Sequence, residues 1–478
     1  METNNNVKSK FNDVVCAIDI GTSKVAALVA RRNQYNKVEI LGIGICPSFG
    51  VQRGVVINIT KTVESIKKAV AEAEKVSGIS FEKVHVGIAG KHIKSMQNRS
   101  QINRTNVDSW ITHEDVKRLK EESYKIALPP GDRIIHVLQQ EYIIDNEPNI
   151  SDPVGMMGVK MEGNFHIITG AEAAIQNIEM CIKAAGLEVA SIELEPLASS
   201  DAVLNAQELE AGVALVDIGG GTTDVAIFEN NTIRHTAVIP FGGNIITEDL
   251  RDFRILKEQA EVLKVKYGYA IPFEALRNQH VSIQGVRSGN NKELNLLSVA
   301  KVISARMKEI LAHVDYQIKL SGYGKKLISG IVLTGGGSQL KNLVQLTEME
   351  TGQIARVGLP KEHLAHTRLK EIENPMYATG IGLVIRAFKL QDEESLCDVP
   401  ATTNNTTTEV KTETPKTEIV NPIVEEDINK KEEDFSIPEE KIIEPQVNKN
   451  TDKKKSLVSI WGKRIGDWLK DDNDFTDI

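Results

Sequence analysis

The chain has 478 residues, 41% hydrophobic and 26% charged, with a formal net charge of -9, so it is long enough for roughly two to four domains with more than one core. Its four cysteines, Cys16, Cys46, Cys181 and Cys397, are widely spaced and form no Cys-x-x-Cys pair, which excludes a disulfide framework and a zinc site. Met1 to Asp13 is polar with no apolar signal region, and no apolar run reaches about 18 residues, so the expectation is a cytosolic chain that does not span a membrane.

The first predicted element is a hairpin. In Ala17-Ile-Asp-Ile-Gly-Thr-Ser-Lys-Val-Ala-Ala-Leu-Val29 an apolar strand enters an Asp-Ile-Gly turn, passes a small hydroxylated pair and continues as a second apolar strand. Thr60 to Ser77 follows as an amphipathic helix, with Val63, Ile66, Ala69, Val70 and Ala73 on one face to pack on the first sheet. Lys83-Val-His-Val-Gly-Ile-Ala-Gly90 alternates as a strand, His113 to Ala127 reads as a charged helix, and Ile134 to Leu138 and Gln140 to Ile144 as two further strands. Together these form a small α+β insertion. His85 and His92 lie in it without a Cys or carboxylate cluster, and read as ordinary surface or core residues rather than metal ligands.

Nearly two hundred residues on, the opening sentence is repeated as Leu215-Val-Asp-Ile-Gly-Gly-Gly-Thr-Thr-Asp-Val-Ala-Ile-Phe228. Gly21 and Gly219 to Gly221 lack a Cβ, so the turns can take left-handed dihedrals and a phosphate can approach the backbone. Thr22, Ser23, Thr222 and Thr223 place hydroxyl donors beside those amides. Asp19 and Asp217 would repel a polyphosphate directly, so they make sense as ligands, through water, of a Mg²⁺ that bridges phosphate oxygens. Either copy alone is also what a tight Gly hairpin looks like; the matched pair points to two related lobes facing one nucleotide.

Ile246 to Tyr267 is predicted to continue as helix, with Glu261 and Lys264 at i and i+3 on one side. A solvated salt bridge is the alternative to a binding role for that pair. Leu297 to Lys319 is another helix, with Arg306 and Glu309 exposed opposite Ile303, Ile310 and Val314. Ser329 to Thr334 is a buried strand entering a third glycine turn, Gly335 to Gly337, and Gln339 onward has helical spacing. Such a turn lets a flat base or ribose lie on bare backbone. No Walker-type loop and no Gly-x-Gly-x-x-Gly after a strand occurs.

Composition breaks near Gln391. From Asp392 to Lys455 the chain is Thr, Glu, Lys, Pro and Asn with 17 acidic and 9 basic residues, which reads as a disordered linker spanning on the order of 45 Å. The remainder is close to neutral, with no nucleic-acid footprint. Ser456 to Lys470 resumes helical order: Leu457, Trp461, Ile465 and Trp468 share a face, Val458, Ile460 and Leu469 lie near it, and Lys453 to Lys455 precede it. Two Trp and flanking Lys suit an interfacial membrane helix. A helix docked on a partner or on the core is the alternative, and Asp471, Asp472, Asp474 and Asp477 would repel anionic lipid.

The order of Asp-Ile-Gly-Thr, Asp-Ile-Gly-Gly-Gly-Thr-Thr-Asp and Thr-Gly-Gly-Gly resembles the phosphate and adenosine motifs of the actin, sugar kinase and heat-shock chaperone superfamily, and within it the FtsA cell-division family. Glu195-Pro-Leu-Ala-Ser-Ser200, Pro240-Phe-Gly-Gly-Asn244 and Glu261 to Gly268 carry the likeness further, over about residues 12 to 390. The resemblance implies an α/β, actin-like (ribonuclease H-like) two-lobed fold. Subdomain 1A would be 12–82 and 168–204, an inserted SHS2-like 1C 83–167, 2A 205–245 and 300–390, and 2B 246–299, followed by a linker at 392–455 and an amphipathic membrane helix at 456–470. It implies ATP and Mg²⁺ as cofactors, with Asp19, Gly21, Thr22, Ser23, Lys24, Asp217, Gly219 to Gly221, Thr222, Thr223, Glu261, Lys264 and Gly335, Gly336 and Gly337 around them, Glu261 and Lys264 on ribose and adenine. Glu195 matches in order a water-positioning carboxylate of the chaperones, or simply ends a strand; hydrolysis would be slow at most.

The family further implies self-assembly into filaments, other divisome partners on the insertion, and the C-terminal peptide of FtsZ near Arg306 and Glu309, unless these form a plain charged face. It implies a peripheral location on the cytoplasmic side of the inner membrane at the division septum. A pilus-assembly ATP-binder and a small-molecule kinase of the same superfamily remain alternatives. A chaperone does not, because the C-terminal part lacks a β-rich peptide-binding domain.

Overall fold

A computed structural model describes residues 14–104, 109–283, 291–365 and 370–397. The first lobe opens with an antiparallel meander, β1 (Val14–Ile20), β2 (Lys24–Arg32) and β3 (Val38–Pro47). A two-residue-per-arm hairpin, β4 (Val51–Gln52) and β5 (Val55–Val56), leads into α1 (Ile59–Ser77). Asn58 starts that helix by accepting the Lys61 N–H, and Gly78 ends it at φ 70°. The helix lies directly on β3, where a methyl on Gly44 would stand 1.9 Å from the Ala69 carbonyl oxygen. β6 (Lys83–Ile88) then joins β1 in parallel.

The insertion comprises β7 (Lys94–Asn103), α2 (His113–Ser123), β8 (Asp132–Ile144), β9 (Glu147–Ile150) and β10 (Lys160–Ala171). Its sheet runs β7-β10-β8-β9 around a separate core of Ile111, Leu119, Val137, Tyr142, Met161, Phe165 and Ile167. The chain returns through α3 (Glu172–Ala185) and β11 (Glu188–Leu194), which completes the first sheet as β11-β6-β1-β2-β3.

α4 (Glu195–Val203) and α5 (Ala206–Ala211) cross to the second lobe. There β12 (Val213–Ile218), β13 (Thr223–Glu229) and β14 (Thr232–Ile239) form another antiparallel meander, followed by α6 (Gly243–Leu250), α7 (Lys257–Tyr267), β15 (His280–Ile283), β16 (Lys292–Asn295) and α8 (Leu296–Leu320). β17 (Ile331–Thr334), α9 (Leu343–Thr351), β18 (Ala355–Val357) and α10 (Ala378–Cys397) finish the fold. The second sheet runs β14-β13-β12-β17-β18. In both lobes the first strand has its meander on one side and two parallel strands on the other, so the sequence repeat is a repeat of topology.

One apolar cluster ties the lobes together, running from Leu28 and Leu194 through Ala198 and Ile381 to Leu215, Phe228 and Val332. At its centre α4 and α10 cross so closely that a methyl on Gly382 would fall 1.7 Å from the Ala198 carbonyl oxygen.

Several elements differ from their sequence reading. Lys83–Ile88 is a central strand of the first sheet, paired in parallel with β1 and β11, so that strand belongs to the first lobe and not to the insertion. The two strands expected at 134–144 are one, because irregularities in its pairing with β10 shift the alternation of its side chains. The helix expected from Ile246 to Tyr267 is broken where Arg254 adopts φ 54°, and the helix expected from Gln339 begins at Leu343, after a left-handed Asn342. α10 runs to Cys397, so helix continues six residues into the stretch read as linker. The rest of the linker and Leu457, Val458, Ile460, Trp461, Ile465, Trp468 and Leu469 lie outside the described residues. Among the described residues no helix is long and apolar enough to cross a membrane.

Candidate functional site

Each glycine turn sits at the end of the first strand of its sheet, so equal topology in the two lobes brings the two turns face to face. A methyl on Gly220 would lie 2.0 Å from the Ser23 hydroxyl oxygen, and one on Gly221 would lie 2.5 Å from that of Thr22. The Ser23 hydroxyl also donates to Asn244 Oδ1 at 3.4 Å. Asp19, Gly21, Thr22, Ser23 and Lys24 are thereby assembled against Asp217 and Gly219 to Gly221, as the repeat predicts.

The carboxylates there are buried: Asp19 is 4% exposed, Asp217 8% and Asp224 4%. Lys24 donates to Asp19 at 3.2 Å. Its desolvation is outweighed by Asp19 and Asp217, which raise its pKa, so it stays charged. Asp217 accepts hydrogen bonds from Ser199 at 2.7 Å and Thr379 at 3.3 Å, yet burial, with Asp19 nearby, holds its carboxyl above the usual range. Burial pushes Asp224 up to about 8, with Asp217 adding to the shift. Glu195 starts α4 beside them, half-buried; burial first, then Asp19, Asp224 and Asp217, push it well up. Room for it is made on β6, where a methyl on Gly87 would meet the Glu195 side chain at 2.9 Å.

Two predicted hydroxyl donors are already spent. Thr222 donates to Asp224 Oδ2 at 3.1 Å and Thr223 to the Phe241 carbonyl at 2.8 Å, because both side chains point into the second lobe, where they are 7% and 0% exposed. That corrects the expectation that they face a phosphate; the backbone of Gly219 to Gly221 is what remains available on this side.

Glu261 and Lys264 do meet, at 2.7 Å, and together grip the start of α6: Lys264 donates to the Gly243 carbonyl at 2.9 Å and the Thr247 hydroxyl at 2.8 Å, while Thr247 donates to Glu261 at 2.5 Å. The solvated-pair alternative is therefore too simple, since Lys264 is largely covered and its pKa is lowered by burial. α6 in turn touches the glycine loop through Gly243 N–H to the Gly219 carbonyl at 2.9 Å. In the third turn Gly335 takes φ 79°, and a methyl there would stand 2.2 Å from Asp217 Oδ1. At Gly336 the nearest neighbour of such a methyl is Met376 at 3.9 Å, so the backbone is bare there.

Arg306 and Glu309 are brought together on α8, away from the loops, but not as free charges. Arg306 donates to both oxygens of Asp249, at 2.6 and 3.0 Å, and to Glu309, and only about a quarter of its side chain is exposed.

Sequence reasoning missed Asp224, Gly87, Ser199 and Thr379. Asp224 carried a signal within the second motif, as the residue that closes Asp-Ile-Gly-Gly-Gly-Thr-Thr-Asp, and Ser199 as part of the Glu195–Ser200 motif; the place of Asp224 opposite Asp217 in the β12–β13 register makes it part of the site.

Two lobes of one topology, glycine turns meeting over buried carboxylates and an α+β insertion in the first lobe define a protein of the actin-like class. The family described as "Cell division protein FtsA" matches residues 214–382, and that described as "SHS2 domain inserted in FTSA" matches 90–169. Cell division protein FtsA of Pseudomonas aeruginosa is 39% identical over 381 residues, covering 80% of this chain and 90% of that protein; FtsA of Neisseria meningitidis is 38% identical, covering 79% and 91%. A chain of the PilM-PilN type IV pilus biogenesis complex shares the fold at a TM-score of 0.56 and 16% identity, over 78% of this chain and 98% of that one. The chain belongs to the FtsA family of cell-division proteins.

Proposed function

We propose that this chain binds ATP with Mg²⁺ between its two glycine loops, assembles into actin-like filaments, and tethers the FtsZ ring to the cytoplasmic face of the inner membrane while later divisome proteins dock on the insertion. The observation that carries the nucleotide reading is the charge of the site: four carboxylates, Asp19, Glu195, Asp217 and Asp224, influence one another around a single lysine. Such a cluster calls for a cation. Asp224 Oδ1 is a buried oxygen with no hydrogen-bond partner, and among the described residues no three Asp, Glu, His or Cys side chains form a metal-ligating group. A divalent ion fits if water and phosphate oxygens complete its shell, with Asp19, Asp217 and Asp224 as its nearest charges. When bound, it would supply the counter-charge that the phosphates need.

The chain's own parts then have distinct tasks. Gly219 to Gly221 offer backbone to phosphates, Lys24 holds Asp19, Gly336 offers bare backbone to the base, and Glu261 with Lys264 borders the nucleoside end. Because the two loops touch, a phosphate admitted between them changes the separation of the lobes, and that change is the means by which nucleotide would shift the population of filament-forming states. Burial first, then Asp19, Asp224 and Asp217, raise the Glu195 carboxyl, and slow hydrolysis at most is part of the proposal. Arg306 and Glu309, with Asp249, form the charged face proposed to receive the FtsZ C-terminal peptide; the peripheral location rests on the amphipathic pattern of residues 456–470.

The test is to mix the purified chain with lipid vesicles and fluorescent FtsZ, with and without ATP, against a chain ending at Cys397. FtsZ on the membrane only with the intact chain and ATP is the expected result. ATP binding with FtsZ left in solution would retire the tether and leave the nucleotide reading standing.

A further inference from the structure

The tip of the β4–β5 hairpin lies where the two glycine loops meet. A methyl on Gly221 would be 3.0 Å from the Cα of Arg53, and the next residue, Gly54, donates its N–H to the Thr22 hydroxyl at 3.1 Å. One hairpin therefore touches the first loop and the second loop at once.

Its geometry is unusual for an arginine. Gln52 pairs with Val55, leaving a two-residue turn of Arg53 and Gly54 with φ of 47° and 75°, the pattern of a type I′ turn that favours Asn-Gly or Gly-Gly. Arginine in the left-handed region is disfavoured, and such residues gather where function requires them. The turn is also fixed in place. Val51 and Val56 are buried, the Gly50 carbonyl accepts from both Ile57 and Asn58 at the start of α1, and a methyl on Gly54 would stand 2.8 Å from the Cα of Gly90. The Arg53 side chain is exposed and makes no hydrogen bond or ion pair among the described residues, whereas Lys24, the cation inside the loops, is held by Asp19.

The second loop has a direction. Gly219 lies against the start of α6 and so near Lys264, Gly220 faces Ser23, and Gly221 faces Thr22 and Arg53. A nucleotide whose nucleoside end borders Lys264 would lay its phosphates along the loop toward Gly221, with the last of them below the hairpin tip. A guanidinium offers five N–H donors in a planar fork suited to phosphate oxygens.

We propose that Arg53 binds the terminal phosphate of a nucleoside triphosphate held between the two loops and so distinguishes triphosphate from diphosphate; the proposal rests on the nucleotide reading given above. Arg53 would thereby link the length of the phosphate chain in the site to a surface hairpin joined to the start of α1.

The experiment is competition binding of ATP and ADP, each with Mg²⁺, to the full chain and to its Arg53→Asn and Arg53→Lys variants, alongside thermal melting of each. Asn suits the left-handed position, so Arg53→Asn should melt at the same temperature or higher while its ATP affinity falls about tenfold, the scale of one lost charge-assisted contact, with ADP affinity unchanged. Arg53→Lys, which keeps the charge without the fork, should fall in between. An unchanged ATP-to-ADP ratio in Arg53→Asn overturns the proposal and leaves the nucleotide reading intact. Binding of neither nucleotide by the unaltered chain overturns that reading, and this proposal with it. Should Arg53→Asn fail to fold, the ratio in Arg53→Lys decides, no change again counting against.

Discussion

The two loops are copies of one motif on sheets of one topology, yet they have opposite electrical characters. In the first, the residue across from Asp19 in the β1–β2 ladder is Ala26, and Lys24 within the same turn donates to Asp19. In the second, the residue across from Asp217 is Asp224, and the groups that satisfy Asp217 are neutral hydroxyls from α4 and α10. The first loop is close to neutral by itself. The second keeps an excess of negative charge in a buried place, which is costly unless carboxyls take up protons or a cation arrives. A duplicated motif has been divided into a half that supplies a cation and a half that requires one.

The largest effect should come from removing the cation. Lys24→Met leaves Asp19 buried without its partner beside Asp217 and Glu195, and breaking a buried pair in this way costs about 3–5 kcal/mol. Urea unfolding of the Mg²⁺-free variant should show that loss; a change below about 1 kcal/mol would mean the two loops are not electrically distinct.

Next is the pH response of the second loop. Asp224 is raised in the folded chain to about 8 from an ordinary value of 3.8, so its contribution to stability is complete below that ordinary value and is lost as pH rises through about 8. Without Mg²⁺ and nucleotide, stability should therefore fall between about pH 4 and pH 8, with Asp217, also raised, adding in the same direction. Asp224→Asn should flatten the slope, and Mg²⁺ with ATP should counter it. A melting curve that is flat with pH in the unaltered, ligand-free chain would remove the basis for the asymmetry. Buried His136 and His166, both lowered to about 4, have the opposite sign: their contribution is present above their ordinary value of 6.5 and lost as pH falls toward about 4, so comparison with Asp224→Asn is needed to isolate the carboxylate.

Smaller effects should follow from the hydroxyls. Ser199→Ala removes the 2.7 Å bond to Asp217 and should cost about 1–2 kcal/mol in thermal or chemical unfolding. Thr379→Val removes the longer, 3.3 Å bond and should cost roughly 0.5–1 kcal/mol. Equal losses would indicate that α4 and α10 do not share Asp217 in the way these distances imply.

The parts of this molecule legible from its sequence are those in which cause and effect are neighbours in the chain. The two Asp-Ile-Gly turns, the amphipathic α1 and the buried strand entering Gly335 each depend on residues a few positions apart, through side-chain periodicity and the conformational freedom of glycine. Repetition of one such unit was enough to point to two related lobes. What lies between distant segments was left to tertiary structure. An alternating run such as Lys83–Ile88 does not say which sheet will accept it, and register alone set Asp224 across from Asp217. Packing turned the Thr222 and Thr223 hydroxyls inward, emptied space at Gly87 for Glu195, and bent the 246–267 segment at Arg254. Arg53 gave no local sign of importance, since an exposed arginine in a short hairpin is ordinary until two loops more than 150 residues apart close on either side of it. Local propensity specifies which strands and turns can exist; which of their side chains share one buried, charged volume is decided by the energy of excluding water from all of them together.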